Sequence, residues 1–431
     1  MTNLFPKQKQ SLKRFGRADE GQALVLTALA LVVLMMMAGL GVDVGYLRYQ
    51  KQQMQKAADA GAIAGASALL YGGSWQAAGQ NDAAANGFAN GGQNGTISVR
   101  VDTPWEGPFA GKAGYVEASV SQPQPTFFMK FGSLDPVPVR SWAVASARVA
   151  GQGCIIVLDP SDQSTYMATG GAVVSANCGI YVDSTNPNAF DQNGTGCTHA
   201  SFIAISGDIK SDSCSTPLNP STYVAPPAAD PLAGVAPPQF PPVPPAGNCT
   251  YQTSGQTVFG PPPGSTSVTY CGGISLNSGG PYTFNPGTYI LYGGGLTINA
   301  QASVSGTGVT FYNTGTKNGT YGFSPITING GGSITLSAPT GGPLAGMLFF
   351  EDRDPTKHGQ ITNTITGQTG STFTGALYFP TTSLSYAGGT AVGGYTVVVA
   401  YQVKFVGNST FSNDYSSLTG GPLIAGVALV E

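Results

Sequence analysis

The sequence predicts a mainly β chain, in which an N-terminal transmembrane helix extends into a small α+β module and a right-handed parallel β-helix follows. Three observations predict this fold class. Residues 21–42 are an uncharged apolar run, residues 96–150 hold alternating strand patterns, and beyond residue 154 short apolar runs alternate with Gly, Asn, Ser and Thr. Helical periodicity is absent from the last region, which is therefore expected to consist of short strands and turns.

The composition is that of a turn-rich protein with few salt bridges. Charged residues are only 9% of the 431 residues, against about 25% in ordinary domains, while Gly (62) and Pro (31) are plentiful. Hydrophobic residues make up 41%, which is enough to bury a core. The net charge of −3 gives no nucleic-acid signature, and the whole composition is typical of extracellular β-proteins.

The run at 21–42 is long enough to cross a membrane as a helix, because 22 residues span roughly 33 Å. Five Lys and Arg residues precede the first acidic residue, so the positive-inside rule places residues 1–20 in the cytoplasm. Two alternatives remain open. The run could be a cleaved secretory signal, or a prepilin-type peptidase could cut before it, near Gly16 or Gly21.

The helical pattern continues without a break over residues 46–70 and becomes rich in Ala and Gly in its second half. Such a face lets another backbone approach closely. It would pack either against the chain's own sheet or against another helix in an assembly.

Residues 20–66 resemble the N-terminal module of TadG-like Flp (tight adherence) pilus-assembly proteins. An acidic-Gly pair opens the apolar helix, a G-x-x-V-D-x-G-x-L-like element follows, and a Q-x-A-A-D-A run comes next. The residues that carry the resemblance, and that are candidates for motif or assembly roles, are Glu20, Gly21, Gly41, Asp43, Gly45, Gln55, Ala58 and Asp59. The Gly at position 61 is a mild departure from the family pattern.

The resemblance implies a single-pass inner-membrane protein whose C-terminal part is periplasmic or surface-exposed, with other pilus-assembly or pilin-like proteins as partners. Asp43 would mark the water interface or help to dock a partner helix. Glu20 would lie at the membrane–water interface or would pair with a neighbouring subunit. The D-x-S-x-S motif of the family's metal-binding adhesion domains is missing.

Residues 43–150 are predicted to form a pilin-like periplasmic module, because strands at 96–102, 114–121 and 139–151 follow the long helix. Residues 151–216 and 249–431 are predicted to be the first and main parts of the β-helix, since their strands are shorter than those of a β-sandwich, the alternative fold. Gly-rich stretches at 284–315 and 334–354 also resemble the β-helical C-terminal regions of TadG-like proteins, though less specifically than the N-terminal module does.

Residues 217–248 are predicted to be a Pro-rich linker or surface excursion, because proline removes the backbone donors that a sheet requires. The even number of cysteines on the exported side predicts up to three disulfides. Either Cys214 with Cys249 would join the ends of the linker, or Cys249 would pair with Cys271. The six candidates are Cys154, Cys178, Cys197, Cys214, Cys249 and Cys271.

The densest charged spot, residues 351–358, raises the possibility of a polysaccharide-acting enzyme. A solvated turn is the preferred interpretation, since consecutive carboxylates after a strand point in different directions. No zinc site is predicted, because neither His199 nor His358 stands at ligand spacing to a cysteine pair. The sequence therefore predicts a non-enzymatic anchor, assembly factor or adhesion scaffold without cofactor. A tethered polysaccharide enzyme and a pseudopilin-like fibre subunit are the alternatives.

Overall fold

The computed structural model describes residues 20–70, 73–112, 114–150, 153–212, 214, 222–224, 230–240, 248–277, 279–299, 301–357, 360–367, 370–388, 394–419 and 421–430. The predicted cytoplasmic tail up to residue 19, most of the predicted linker and His358 lie outside these residues. The chain divides into two compact units, Met1–Ser146 with Leu429–Glu431, and Ala147–Ala428.

The first unit pairs a long helix with a small antiparallel sheet. Its elements are α1 (Glu20–Leu70), α2 (Trp75–Ala85), α3 (Gly92–Gly95), β1 (Ser98–Asp102), β2 (Tyr115–Gln124), a 3-10 turn (Met129–Gly132) and β3 (Val137–Ala150). Strand β2 lies between β1 and β3, with Val120 opposite Val99 on one side and Ser141 on the other. Alternate residues of both strands place apolar side chains in the interior, Val99 and Val101 in β1 and Val116, Ala118 and Val120 in β2.

The Ala- and Gly-rich half of α1 packs against the chain's own sheet and α2. Ala58 and Ala62 are fully buried. A Cβ at Gly61 would lie 3.0 Å from the Gly79 carbonyl oxygen, and one at Gly65 would lie 2.9 Å from a Val116 methyl carbon. Of the two interpretations left open for this face, packing within the chain is therefore the one that the structure contains.

The other half of α1 is apolar and exposed. Leu24, Leu34 and Met37 are 73%, 65% and 65% exposed, and the helix is long and apolar enough to cross a membrane. A surface of this kind is not stable in water, so a membrane anchor or a signal sequence accounts for it.

The remaining strands are short except for β25 and β26, and they follow in chain order: β4 (Gly153–Val157), β5 (Tyr166–Ala168), β6 (Val173–Ala176), β7 (Gly179–Val182), β8 (Phe190–Gln192), β9 (Cys197–His199), β10 (Phe202–Ile205), β11 (Ile209–Ser211), β12 (Thr222–Val224), β13 (Val258–Phe259), β14 (Ser267–Cys271), β15 (Ile274–Leu276), β16 (Tyr282–Phe284), β17 (Gly287–Tyr292), β18 (Leu296–Ile298), β19 (Val304–Thr307), β20 (Val309–Thr314), β21 (Ile326–Ile328), β22 (Ile334–Ser337), β23 (Met347–Glu351), β24 (Thr362–Thr366), β25 (Thr372–Ala387), β26 (Tyr395–Phe405), β27 (Ser409–Asn413) and β28 (Ala425–Leu429). Strand β12 falls inside the predicted linker, in a stretch free of proline, so the strand-free part of that region is shorter than predicted.

Strands of the second unit pair in parallel, apart from an antiparallel contact of β26 with β27, and form three columns. The longest column runs β14–β17–β20–β23–β25–β26–β4–β7–β10–β12. A second column pairs β15, β18, β21, β24 and the later halves of β25 and β26, and continues through β5, β8 and β11. The third column pairs β13, β16, β19, β22 and the start of β25, and a further run pairs β27, β6 and β9. Strands that come early in the chain, β4 to β12, therefore lie beyond β26 in the stack.

Aromatic side chains at equivalent positions of neighbouring strands fill the interior of the second unit. Tyr289, Phe311 and Phe349 occupy consecutive positions in the longest column, and their ring centroids lie 5.2 Å and 5.6 Å apart. All three are fully buried. The predicted mainly β chain with an apolar N-terminal helix is confirmed; its sheets are large and not closed, and the parallel β-helix itself stays a prediction.

Candidate functional site

Asp43 of α1 is the centre of the candidate site in the first unit. Its side chain is fully buried and accepts hydrogen bonds from three consecutive backbone N–H groups, those of Phe127 and Phe128 at 2.8 Å and of Met129 at 2.6 Å. These donors belong to residues 125–134, here called the aromatic loop. A carboxylate that accepts several backbone donors fixes their position strongly, so Asp43 holds the loop on the helix.

Side chains next to Asp43 complete this contact. The ring of Phe128 lies over Gly39, where a Cβ would come within 2.5 Å of the ring. Tyr46 packs edge-on against Phe127, with 5.6 Å between ring centroids, and donates to Gln124 at 3.2 Å. Gly39 thus lets the loop approach the helix backbone one turn before Asp43.

A second group of motif residues joins α1 to β3. The Gln55 amide nitrogen donates to an Asp59 carboxylate oxygen at 2.8 Å and to the Trp142 carbonyl oxygen at 3.0 Å. Ala58 lies between them in the sequence and is fully buried. These residues orient the helix on the sheet, and a structural role is sufficient to explain them.

Gly41 and Gly45 stand at open positions of α1. A Cβ at Gly41 or Gly45 would meet nothing within 4 Å. Glu20 and Gly21 begin α1. Assembly roles for these four residues stay predictions.

The part of α1 that contains the buried Asp43 is similar to a known protein family. Residues 21–68 match the Flp pilus-assembly TadE/G-like family model. The match confirms the resemblance found in the N-terminal module, and it contains Asp43, Gln55 and Asp59. The TadE/G-like segment is a short part of the 431 residues, so it identifies the helix and not the second unit. No curated protein and no solved structure matches the chain.

Three disulfides lie in the second unit, as the even cysteine count predicts. They join Cys154 to Cys178, Cys197 to Cys214, and Cys249 to Cys271. The suggested pairing of Cys214 with Cys249 is wrong, because Cys214 lies beside β9, whose Cys197 is 4.9 Å away between Cα atoms. The alternative pairing of Cys249 with Cys271 is the one present.

The charged spot that begins at Glu351 is held by internal hydrogen bonds. Glu351 ends β23, is fully buried, and accepts from Thr382 at 2.7 Å and Asn363 at 3.1 Å. Burial raises the pKa of the Glu351 carboxyl to about 7 against these bonds. Burial also acts to raise the pKa of Asp352, but hydrogen bonds from Lys357 and Thr314 outweigh it and lower that pKa. Both carboxylates are buried, Glu351 completely and Asp352 at 8% exposure.

Arg353 ties part of the predicted linker to the longest strand column. Its guanidinium donates to the Tyr378 hydroxyl and to the Leu232 carbonyl oxygen, both at 2.7 Å, and lies 4.9 Å from the centre of the Phe350 ring. The Tyr378 hydroxyl in turn donates to Asp230 at 2.7 Å. The described linker residues 230–240 thus lie along the outside of the column.

The contact of the aromatic loop with Asp43 and the Arg353 contact are the features that sequence reasoning missed. The loop donors are 84 to 86 residues from Asp43, and Leu232 is 121 residues from Arg353. The one available signal was an acidic residue at the end of an apolar helix, which has to find donors if it is buried. Within the described part of the chain, no group of His, Cys, Asp or Glu could hold a metal ion.

Proposed function

We propose that the chain is a non-enzymatic, single-pass envelope protein of a Flp-type pilus-assembly system. Its N-terminus is cytoplasmic, α1 crosses the inner membrane, and the rest of the chain lies in the periplasm or at the cell surface. The observation that carries the proposal is the division of α1 into an exposed apolar half and a half that packs in a folded unit, within a TadE/G-like segment.

The position of Asp43 supports the proposed end of the span. The residues before Asp43 include exposed apolar Leu, Val and Met. The residues after it include the basic Arg48, Lys51 and Lys56. The buried Asp43 carboxylate is a polar group at the end of the apolar run. Its three backbone donors supply the hydrogen bonds that water would otherwise provide. We place the membrane surface close to Asp43.

The second unit is proposed to be a parallel β-helix that acts as a projecting scaffold. Its three columns of parallel strands support this fold over a β-sandwich, whose sheets are antiparallel. Stacked coils with few charges provide a long stable surface, suited to anchoring or adhesion. Its partners would be other pilus-assembly or pilin-like envelope proteins.

A role without catalysis fits both the family and the charged spot. The TadE/G-like family is one of pilus assembly, and the carboxylates at 351 and 352 are bound to neighbouring side chains. A tethered polysaccharide enzyme would need an accessible acid and base on one face. Absence of turnover on acidic and neutral glycans is the expected result, and turnover that Asp352→Ala abolishes would reverse this assignment.

A pseudopilin-like fibre subunit is the second candidate, because neighbouring copies in a fibre would also cover the exposed apolar half of α1. This candidate requires cleavage before the apolar run. The size of the protein and its presence in sheared surface material therefore separate the two candidates.

The deciding experiment is fractionation of cells that carry a C-terminal tag. We expect full-length protein in the inner membrane, with a tail that added protease cuts in spheroplasts and not in intact cells. A shortened protein in the sheared fraction would replace the anchor with the fibre subunit. A soluble periplasmic product that begins after residue 42 would mean that the apolar run is a cleaved signal.

A further inference from the structure

The aromatic loop exposes apolar side chains in an unusual concentration. Phe131 is 90% exposed, Phe127 is 58% exposed and Leu134 is 57% exposed. Soluble surfaces rarely expose neighbouring large apolar side chains together, so this patch is expected to have a partner. The loop is not a loose excursion, because Asp43 holds its backbone at three points.

The loop is also closed on itself. Asp135 accepts from the Thr126 backbone N–H at 2.8 Å, and the Thr126 hydroxyl donates to the Leu134 carbonyl oxygen at 3.0 Å. The polar groups at the base of the loop are therefore paired, and the exposed side chains at its tip are apolar. An arrangement of this kind presents hydrophobic side chains from a preorganised backbone.

The depth of the loop along α1 identifies the partner. Phe128 packs on Gly39, which lies four residues, or about 6 Å, before Asp43 and inside the apolar run. The loop patch is therefore continuous with the exposed apolar face of the helix. Lys130, exposed within the loop, has a side chain long enough to reach lipid phosphates while its stem stays apolar.

We infer that the aromatic loop inserts its Phe and Leu side chains into the outer leaflet of the membrane that α1 crosses. Its binding partner is thus the lipid boundary between headgroups and acyl chains, where apolar side chains gain by leaving water. The inference rests on the proposed membrane anchoring of α1. It adds a second attachment point, which would fix the tilt and rotation of the first unit on the membrane surface.

The test uses the full chain in vesicles of phosphatidylethanolamine and phosphatidylglycerol. The native cysteines are paired in disulfides, so a maleimide dye sensitive to polarity can be attached to one added thiol at a time. Three variants are compared: Phe131→Cys at the loop tip, Leu34→Cys within the apolar run, and Glu106→Cys at an exposed position of another loop. Lipids with a quencher near the headgroup or deep in the acyl chain report depth.

We expect the Phe131→Cys dye to shift its emission to the blue and to lose intensity with the shallow quencher. The Leu34→Cys dye should respond most to the deep quencher, and the Glu106→Cys dye to neither. If Leu34→Cys is quenched and Phe131→Cys is not, anchoring stands and the loop inference is overturned. If neither is quenched, both fail. Blue-shifted emission at Phe131→Cys without lipid quenching would mean that another copy of the chain covers the loop, which also overturns the inference.

Discussion

Replacing Glu351 with Gln should make the second unit more stable at neutral pH and remove part of its pH dependence. Glu351 is fully buried at the end of β23, and burial raises the pKa of its carboxyl from an ordinary 4.5 to about 7. Thr382 and Asn363 donate to it, and these bonds are not sufficient to keep the charged form favourable.

The sign follows from the two pKa values. Below pH 4.5 the carboxyl is protonated in both folded and unfolded chains, and its full contribution to stability is present. As pH rises, the unfolded chain releases the proton first, so stability falls until pH passes about 7 and then levels off. At roughly 1.4 kcal/mol per pH unit, the loss is about 3 kcal/mol.

Glutamine is neutral at every pH and keeps a side-chain oxygen for the Thr382 hydroxyl. Its amide also adds a donor near Asn313, which is opposite Glu351 in the strand register and whose buried side-chain oxygen has no hydrogen-bond partner among the described residues. Glu351→Gln should therefore raise the free energy of unfolding by up to about 3 kcal/mol at pH 8. It should give little or no gain at pH 4.5, where the wild-type carboxyl is already neutral.

The assay is denaturant unfolding, followed by far-ultraviolet circular dichroism, at a series of pH values between 4.5 and 8. Glu106→Gln is the matched control, because Glu106 is exposed and the same change there should leave the wild-type pH profile intact. The reasoning is refuted if Glu351→Gln keeps the wild-type fall in stability. It is also refuted if the variant is less stable than wild type at pH 8, since the carboxylate would then be stabilising in its charged form.

Three further predictions concern the anchor unit and the disulfides. Asp43→Ala should free the aromatic loop, so the backbone amides of residues 127–129 should exchange hydrogen faster. Asp43→Asn should have a smaller effect, and unchanged exchange in Asp43→Ala would rule out the contact. Replacing Cys249 and Cys271 by Ser should lower the stability of the second unit by about 3 kcal/mol, from loop-closure entropy over a separation of 22 residues, and a shift in the denaturant midpoint measures it. Gly61→Val should destabilise the first unit by about 1–3 kcal/mol, because its Cβ meets the Gly79 carbonyl. Gly41→Val has open space and should leave the unfolding midpoint unchanged, so a loss of pilus assembly in that variant would point to contact with a partner.

The sequence was most informative where local pattern decides structure. The apolar run ahead of Asp43 predicted one long helix, and the motif around Gln55 and Asp59 predicted the family that the comparison confirmed. Short apolar runs predicted short strands, because a strand's alternation is readable within five residues. These features depend on near neighbours in the chain.

What could not be predicted depends on distant residues. Nothing near Asp43 in the sequence shows that its partners are the N–H groups of residues 127–129, because backbone donors have no sequence signature. The same applies to Leu232, which is a loop residue in a Pro-rich region and yet is fully buried beside Arg353. The described residues 230–240 hold no strand, as their proline content suggests, but that content could not show where the segment would lie.

The order of the strand stack explains why the disulfides are placed as they are. Strand β4 pairs with β7 on one side and with β26 on the other, where Ile155 lies opposite Val398. The second neighbour of this early strand therefore comes from residues almost 250 positions later. Pairing over such a separation is slow, because the loop-closure entropy has to be overcome before the contacts form. The disulfides at Cys154 and Cys197 close separations of only 24 and 17 residues between β4 and β12. They can therefore stabilise this part of the chain before β26 pairs with β4. At that stage the unpaired edge of β4 would be open to other chains.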